Sequence, residues 1–251
     1  MDLQLVRHAT LRLNYHGHQI LIDPYFAPRH NRAPLVGKSK NPMTDLPMTI
    51  DDIINGTELV IVSHLHFDHF DPVAQEALPK NLKIICQPGD EAKIEDFGFT
   101  DVIPLTNEMT WNGIKLSRTV GQHGTGDWLE RMGSVMGFVL QAPSEPRLYW
   151  SGDTIWIDDI AETLERYQPN VIVTHSSGSE FEDNQPIVMN AEHTIRVCQQ
   201  MPESKVIATH METIDHGTVS REGLRDAADA ANIPLTQLLI PRDGETITLH
   251  T

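Results

Sequence analysis

The sequence predicts an α/β protein of layered mixed sheets, and three observations carry that expectation. Strand-like apolar runs crowd the first half of the chain. In the second half strands alternate with amphipathic helices, and clusters of imidazole and carboxylate follow directly on several strands.

Strand-like stretches at about residues 2–6, 10–15 and 18–23 open the chain, with Tyr15-His16-Gly17-His18 as a hairpin turn between the latter two. Residues 25–48 break this pattern, with Pro28, Pro34, Pro42 and Pro47, several basic residues and little periodicity. A connection of this length in a compact protein usually forms a lid or substrate wall, or an arm reaching a partner subunit. A lid and a homo-oligomer arm are both expected here.

Further strands fit 58–62, 82–86, 101–104, 114–119, 135–142 and 147–151, the last running into Gly152-Asp153. Amphipathic spacing then marks helices at 157–166 and 189–200, and a third begins at Ser220-Arg221-Glu222-Gly223, which resembles a capping box. Buried strands at 170–174, 204–209 and 236–240 complete the alternation. No internal repeat or linker is visible, so one domain is expected over 1–251.

The segment Ser63-His64-Leu65-His66-Phe67-Asp68-His69-Phe70-Asp71 follows the apolar run Leu59-Val60-Ile61-Val62. Three imidazoles and two carboxylates at a strand end can converge on a cation without placing charge in the core. Neutral imidazole suits zinc and its first-row neighbours, and carboxylate compensates the metal charge. His123 after residues 114–120, Asp153 after 148–152 and His210 after 205–209 occupy equivalent strand-end positions.

Composition narrows the function. Of 251 residues, 39% are hydrophobic and 22% charged, and 19 basic against 35 acidic residues give a net charge of −16. Such a surface repels polyanions, which excludes nucleic acid as the expected partner and leaves a small molecule. No run approaches the roughly 18 apolar residues of a membrane span, and Met1–Arg7 shows neither basic leader nor apolar signal core. Cys86 and Cys198 stand far apart in apolar settings, as free thiols in a reducing cytoplasm do.

The His64–His69 motif resembles the His-x-His-x-Asp-His hallmark of the metallo-β-lactamase superfamily. Arg7-His8-Ala9-Thr10, Ile20-Leu21-Ile22-Asp23-Pro24, Gly152-Asp153-Thr154 and Ala208-Thr209-His210-Met211-Glu212-Thr213 are similar to landmarks of the metal-dependent hydrolase branch that includes L-ascorbate-6-phosphate lactonase. The resemblance implies a four-layer αβ/βα sandwich with the site along one edge between two sheets. It also implies two divalent ions, Zn or Mn. His64, His66 and His123 would hold the first, Asp68, His69 and His210 the second, and Asp153 would join them.

Such a pair lowers the pKa of water, with metals ~3.5–4 Å apart, and presents a bridging hydroxide. The function implied is hydrolysis of a small lactone or phosphoester, anionic or neutral. Asp68 is a ligand and also orients the nucleophile or shuttles its proton, and His175 suits substrate contact or general acid work. His8 and Asp23 are expected behind the ligands. His216 rivals His210 as a ligand and has Glu212 and Asp215 placed to hold it. Trp128 and Arg131, with Arg118, can shape an anion-and-ring pocket beside His123, and Arg7 stands where the family's opening carries Gly. Two other readings are a mononuclear iron dioxygenase acting on a thiol and a non-catalytic, metal-stabilised interaction protein.

Overall fold

The computed structural model describes residues 1–181 and 185–249. Its first half supplies β1 (Asp2–Arg7), β2 (Thr10–Tyr15), β3 (His18–Ile22), β4 (Leu59–Val62), β5 (Lys83–Cys86) and β6 (Val102–Pro104). Helices α1 (Ile50–Ile54), α2 (Pro72–Ala77) and α3 (Glu91–Asp96) precede β4, β5 and β6 respectively. The second half begins with β7 (Glu108–Trp111), β8 (Ile114–Val120), the short helix α4 (Trp128–Met132), β9 (Met136–Gln141) and β10 (Leu148–Trp150). Then α5 (Asp158–Tyr167), β11 (Val171–His175), α6 (Ala191–Gln200), β12 (Lys205–Thr209), α7 (Arg221–Ala230) and β13 (Leu238–Leu239) alternate, before β14 (Thr246–Thr248).

These strands form two seven-stranded sheets, β14-β1-β2-β3-β4-β5-β6 and β7-β8-β9-β10-β11-β12-β13. In those orders each sheet has four strands paired antiparallel and three more added in parallel. The repeat is one of topology, with β14 taking the place in the first sheet that β7 takes in the second. Neither β7 nor β14 is expected from the sequence, because each is short and half polar.

Antiparallel neighbours need only tight turns, and His16 (φ 53°) and Gly17 (φ 79°) both adopt the left-handed conformation of a two-residue hairpin loop. Parallel neighbours need crossovers, and those segments carry the helices. Asp71 caps α2, accepting from the N–H groups of Val73 and Ala74, with Pro72 at the first helical position. Asp71 is therefore the one carboxylate of the motif committed to structure.

The apolar residues sort into three layers of contact. Leu3, Leu11, Ile20, Ile61, Leu116, Phe138, Trp150 and Val173 fill the space between the sheets. Ile160, Val197 and Leu224 pack α5, α6 and α7 on the second sheet, and Ile53, Ala74 and Ile94 pack α1, α2 and α3 on the first. The result is the αβ/βα sandwich that the resemblance implies. Each fully buried Leu or Ile contributes about 1.5–3 kcal/mol. The Tyr15 hydroxyl joins the sheets through the carbonyls of Leu140 and Pro146, at 3.1 and 2.9 Å. Among the described residues no helix is long and apolar enough to cross a membrane.

Residues 25–48 contribute only α-less chain before α1, held by Arg7. Strand alternation leaves Arg7 free to face solvent or a substrate, and it does neither. Its fully buried guanidinium donates to the carbonyls of Tyr25, Ala27 and Thr44.

Candidate metal centre

The site lies where the C-terminal ends of the central strands from both sheets meet. His8 follows β1, Asp23 follows β3, and His64, His66, Asp68 and His69 follow β4. His123, Asp153 and His210 follow β8, β10 and β12, and His175 ends β11. His8 (φ 60°), Asp23 (φ 45°) and His210 (φ 64°) are left-handed, which turns the chain sharply as each strand ends. Non-glycine residues rarely adopt this conformation, and clusters of such strain mark functional sites. Gly152 (φ 69°) needs glycine for space as well, since a Cβ there would meet the Met136 carbonyl oxygen at 2.6 Å.

Donor atoms from these loops converge. One group contains His64, His66, His123 and Asp153, a second His8, Asp68, His69 and His210, and a third His69, Asp153, His175 and His210. Within each group the donor atoms all lie within 4.8 Å of one another. Asp153 Oδ2 is 3.2 Å from His69 Nε2, 3.4 Å from His123 Nε2 and 3.8 Å from His64 Nε2, and Asp153 Oδ1 is 3.5 Å from His210 Nε2. It therefore touches both sets of ligands.

The outer ring nitrogens are held by other partners. His69 Nδ1 meets Asp23 at 2.8 Å, His123 Nδ1 donates to the Ile187 carbonyl at 2.7 Å, and His210 Nδ1 meets the Ser177 hydroxyl at 3.2 Å. A proton fixed on Nδ1 leaves the Nε2 lone pair facing the centre, as metal ligation requires. His64 Nδ1 contacts Ser63 Oγ at 3.1 Å, while Asp23 also accepts from Ser63 N and Oγ at 2.7 and 2.6 Å. Ser63, Ser177 and the Ile187 carbonyl escape sequence reasoning: the serines carry no metal-ligand chemistry, and a backbone carbonyl has no residue signature.

The electrostatics call for a cation. Burial would raise Asp153, but the imidazoles of His210 and His69 and the hydrogen bonds from His175 and His69 hold it well below the ordinary carboxylate range. Asp68 likewise stays well below its ordinary value against burial, through His69, His210 and His8. Burial would lower His69, yet Asp153, Asp23 and Asp68 raise it well above an ordinary imidazole. Burial first, then neighbouring imidazoles, push His64 and His8 well below, and burial takes His123 and His175 down to about 4. Asp68 and Asp153, both held ionised, stand among the imidazoles of His64, His66, His69, His123 and His210 as a donor set matched to divalent first-row metals.

A cavity of about 240 Å³ opens onto this cluster. His66, Asp68, His123, Asp153 and His210 form its polar floor, and Leu35, Phe67, Met132, Phe181, Ile187 and Val188 form apolar walls. Arg32, Ser179 and His216 add the remaining polar lining.

A family model described as a beta-lactamase superfamily domain matches residues 18–211. The chain belongs to that superfamily. The UPF0173 protein YddR of Bacillus subtilis (strain 168) is 37% identical over 254 residues, covering 99% of this chain and all of the relative. A solved structure of a possible metal-dependent hydrolase from Veillonella parvula DSM 2008 superposes with a TM-score of 0.96 at 34% identity, covering 99% of each chain. The isothiocyanate hydrolase from Delia radicum gut bacteria superposes with a TM-score of 0.95 at 32% identity, covering 100% of each chain. Within the beta-lactamase superfamily the chain is thus a member of the UPF0173 family.

Against this superfamily frame, the outlying site residues divide. His8 lies behind Asp68, with Nε2 to Oδ2 at 3.0 Å, and Asp23 stands behind His69. His175 is fully buried beneath Asp153, with Nδ1 to Oδ1 at 2.5 Å, and does not line the cavity. That position corrects the expectation of substrate contact or acid catalysis for His175, since the carboxylate stands in the way. Glu212 is also corrected: it pairs with Arg221 at 2.6 Å, drawn outward by the start of α7, and does not support His216. Asp215, the other expected support for His216, instead accepts hydrogen bonds from residues 35–41. His216 lines the cavity, and its buried Nδ1 has no hydrogen-bond partner among the described residues. Trp128 and Arg131 sit one layer out, Arg131 over the Trp128 ring at 4.0 Å and Trp128 stacked on Phe181 at 4.6 Å. Arg118 turns away, toward Gln87.

Proposed function

We propose that this protein is a hydrolase that uses two divalent metal ions, Zn or Mn, on a small electrophile whose body packs against apolar walls. One observation carries the reading: metal-suited donors converge on the floor of a small cavity whose walls are mainly apolar. His64, His66 and His123 would hold one ion, Asp68, His69 and His210 the other, with Asp153 between them. Bound there, the ions would supply water acidified for attack and positive charge opposite the developing anion.

This chain's residues do the rest. Asp68 stands at the cavity floor and is positioned by His8 Nε2, so it can accept and return a proton during attack. Asp23, Ser177 and the Ile187 carbonyl fix the ligand rings, and the walls exclude bulk water from the reacting atoms.

The name of the isothiocyanate hydrolase relative supports one substrate class in particular. For an isothiocyanate the water oxygen bonds to the central carbon and both protons end on nitrogen. Cleavage of the carbon–nitrogen bond then gives the amine and carbonyl sulfide. A lactone is the second reading, favoured by Arg32 in the cavity lining, which suits an acid-bearing ring. A phosphoester is disfavoured, because Arg32 is the one Lys or Arg among the described residues lining the cavity. Two ligand groups that share no residue, His64, His66, His123 and Asp153 against His8, Asp68, His69 and His210, favour a dinuclear hydrolase over a mononuclear dioxygenase, and the open cavity favours an enzyme over a metal-stabilised interaction protein. A cytoplasmic location belongs to the same proposal.

Turnover of metal-replete protein on a panel of isothiocyanates, lactones and phosphoesters is the test. Isothiocyanate loss with stoichiometric amine release is expected. Preference for phosphoesters, or no turnover of any member with metals bound, would overturn the proposal.

A further inference from the structure

Two side chains distant in sequence hold residues 25–48 beside the metal centre. Arg7 closes the neck of this segment through the carbonyls of Tyr25, Ala27 and Thr44, at 2.9–3.0 Å. Asp215, 2% exposed, holds its far arc. The Asp215 carboxylate accepts from the backbone N–H groups of Leu35 (2.9 Å), Val36 (3.3 Å), Lys38 (3.2 Å) and Ser39 (3.4 Å). It also accepts from the Asn41 amide at 2.8 Å, while the Asn41 oxygen takes the N–H of Asp215, also at 2.8 Å. A carboxylate ringed by N–H donors makes strong, charge-assisted bonds. Its acidity agrees: burial would raise it, but the Asn41 amide and the N–H groups of Leu35, Val36 and Ser39 hold it below the ordinary range.

The held arc reaches the site. Arg32 and Leu35 line the cavity, and so does His216, next in sequence to the anchor. The Arg32 guanidinium lies over the Phe67 ring at 3.8 Å. Among the described residues no carboxylate forms an ion pair with it. Stacking occupies the face of a guanidinium and leaves its N–H edge available for a planar acceptor.

We propose that Asp215 is a positioning residue that makes residues 25–48 a fixed wall of the substrate cavity, and that Arg32 on this wall selects substrates whose far end carries a carboxylate. A wall held at neck and arc has no free hinge, which sets it apart from a lid. Arg29, Lys38 and Lys40 are exposed and absent from the cavity lining, so they are not needed for the selection. The selection rests on the hydrolase reading above; the anchoring does not.

Amide hydrogen exchange of the metal-loaded full chain tests the anchor. In Asp215→Ala the amides of residues 35–39 should exchange at least about tenfold faster, with Asp215→Asn intermediate and both metals retained. Unchanged exchange in the folded Ala variant, or in the Asn variant if the Ala variant does not fold, would overturn the anchor.

Selection is read by calorimetry with 4-aminobenzoate and by turnover of 4-carboxyphenyl against phenyl isothiocyanate. Arg32→Ala should weaken 4-aminobenzoate binding about tenfold and lower the preference for the carboxylated substrate, mainly through KM, with exchange at residues 35–39 unchanged. Equal 4-aminobenzoate affinity in wild type and Arg32→Ala would overturn the selection. If wild type turns over neither isothiocyanate, the functional reading fails, while exchange and calorimetry still decide this proposal.

Discussion

Replacing Asp23 with Asn isolates how a residue that touches no metal sets metal affinity. The Asp23 side chain is fully buried and accepts from Ser63 N, Ser63 Oγ and His69 Nδ1 at 2.7, 2.6 and 2.8 Å. Asn keeps one acceptor for Ser63 N but places an NH₂ where the other two donors point. The Ser63 hydroxyl can rotate and accept. His69 can adapt only by moving its proton to Nε2, the nitrogen that faces the centre. Losing one charge-assisted hydrogen bond costs about 1.5–3 kcal/mol, and about 1.4 kcal/mol is a tenfold change in binding. The Asp68–His69–His210 position should therefore bind metal roughly 10–100-fold more weakly, in line with the usual effect of partners behind a ligand. Competition titration of zinc against a chromophoric chelator measures it, with the His64–His66–His123 position as internal reference. Affinity within about twofold of wild type at both positions would refute the reasoning. Asp23→Ala is less informative, because three orphaned buried donors at about 1–3 kcal/mol each rival the whole stability of a domain.

Asp68→Ala should lower kcat roughly a thousandfold while the fold survives, read by turnover beside circular dichroism; near-normal turnover would remove Asp68 from the mechanism. His210→Ala should empty the second metal position more fully than His216→Ala, since His210 Nε2 lies 3.5 Å from both Asp68 and Asp153, and metal titration of the two variants compares them directly. His216 makes a pH prediction. Burial lowers it to about 4, against an ordinary value of 6.5, so the unfolded chain binds the extra proton first as pH falls. Its stabilising contribution is complete above about 6.5 and is lost on acidification toward 4. Metal-free wild type should lose about 2 kcal/mol more stability than His216→Gln between pH 7 and 5, measured by denaturant unfolding; equal slopes would contradict the shift.

Much of this was legible locally. The His64–Asp68–His69 cluster declares its chemistry in consecutive residues, and alternation or helical spacing places the longer strands and α5 to α7. The failures share one cause, which is pairing at a distance. β14 exists because Thr246–Thr248 meets Asp2–Gln4 from the other end of the chain, and no three-residue pattern encodes that. Arg7 looks solvent-facing or substrate-facing until the carbonyls of residues 25–44 come to it. Asp215 looks like a support for His216, but the turning backbone at 35–39 outbids the neighbouring ring with several N–H groups. Glu212 lies in the matched motif, yet Arg221 at the start of α7 supplies the stronger partner. His175 ends its strand as a substrate contact would, and only the three-dimensional order of the strands puts Asp153 between it and the cavity.

The central claim is a two-metal centre built by donors from both sheets. Anomalous diffraction at the metal absorption edge from crystals of metal-replete protein tests it most directly. Two peaks are expected, one within bonding distance of His64, His66 and His123 and one within bonding distance of Asp68, His69 and His210, with Asp153 reaching both. A single peak at full metal loading, or peaks that leave either set unligated, would contradict it.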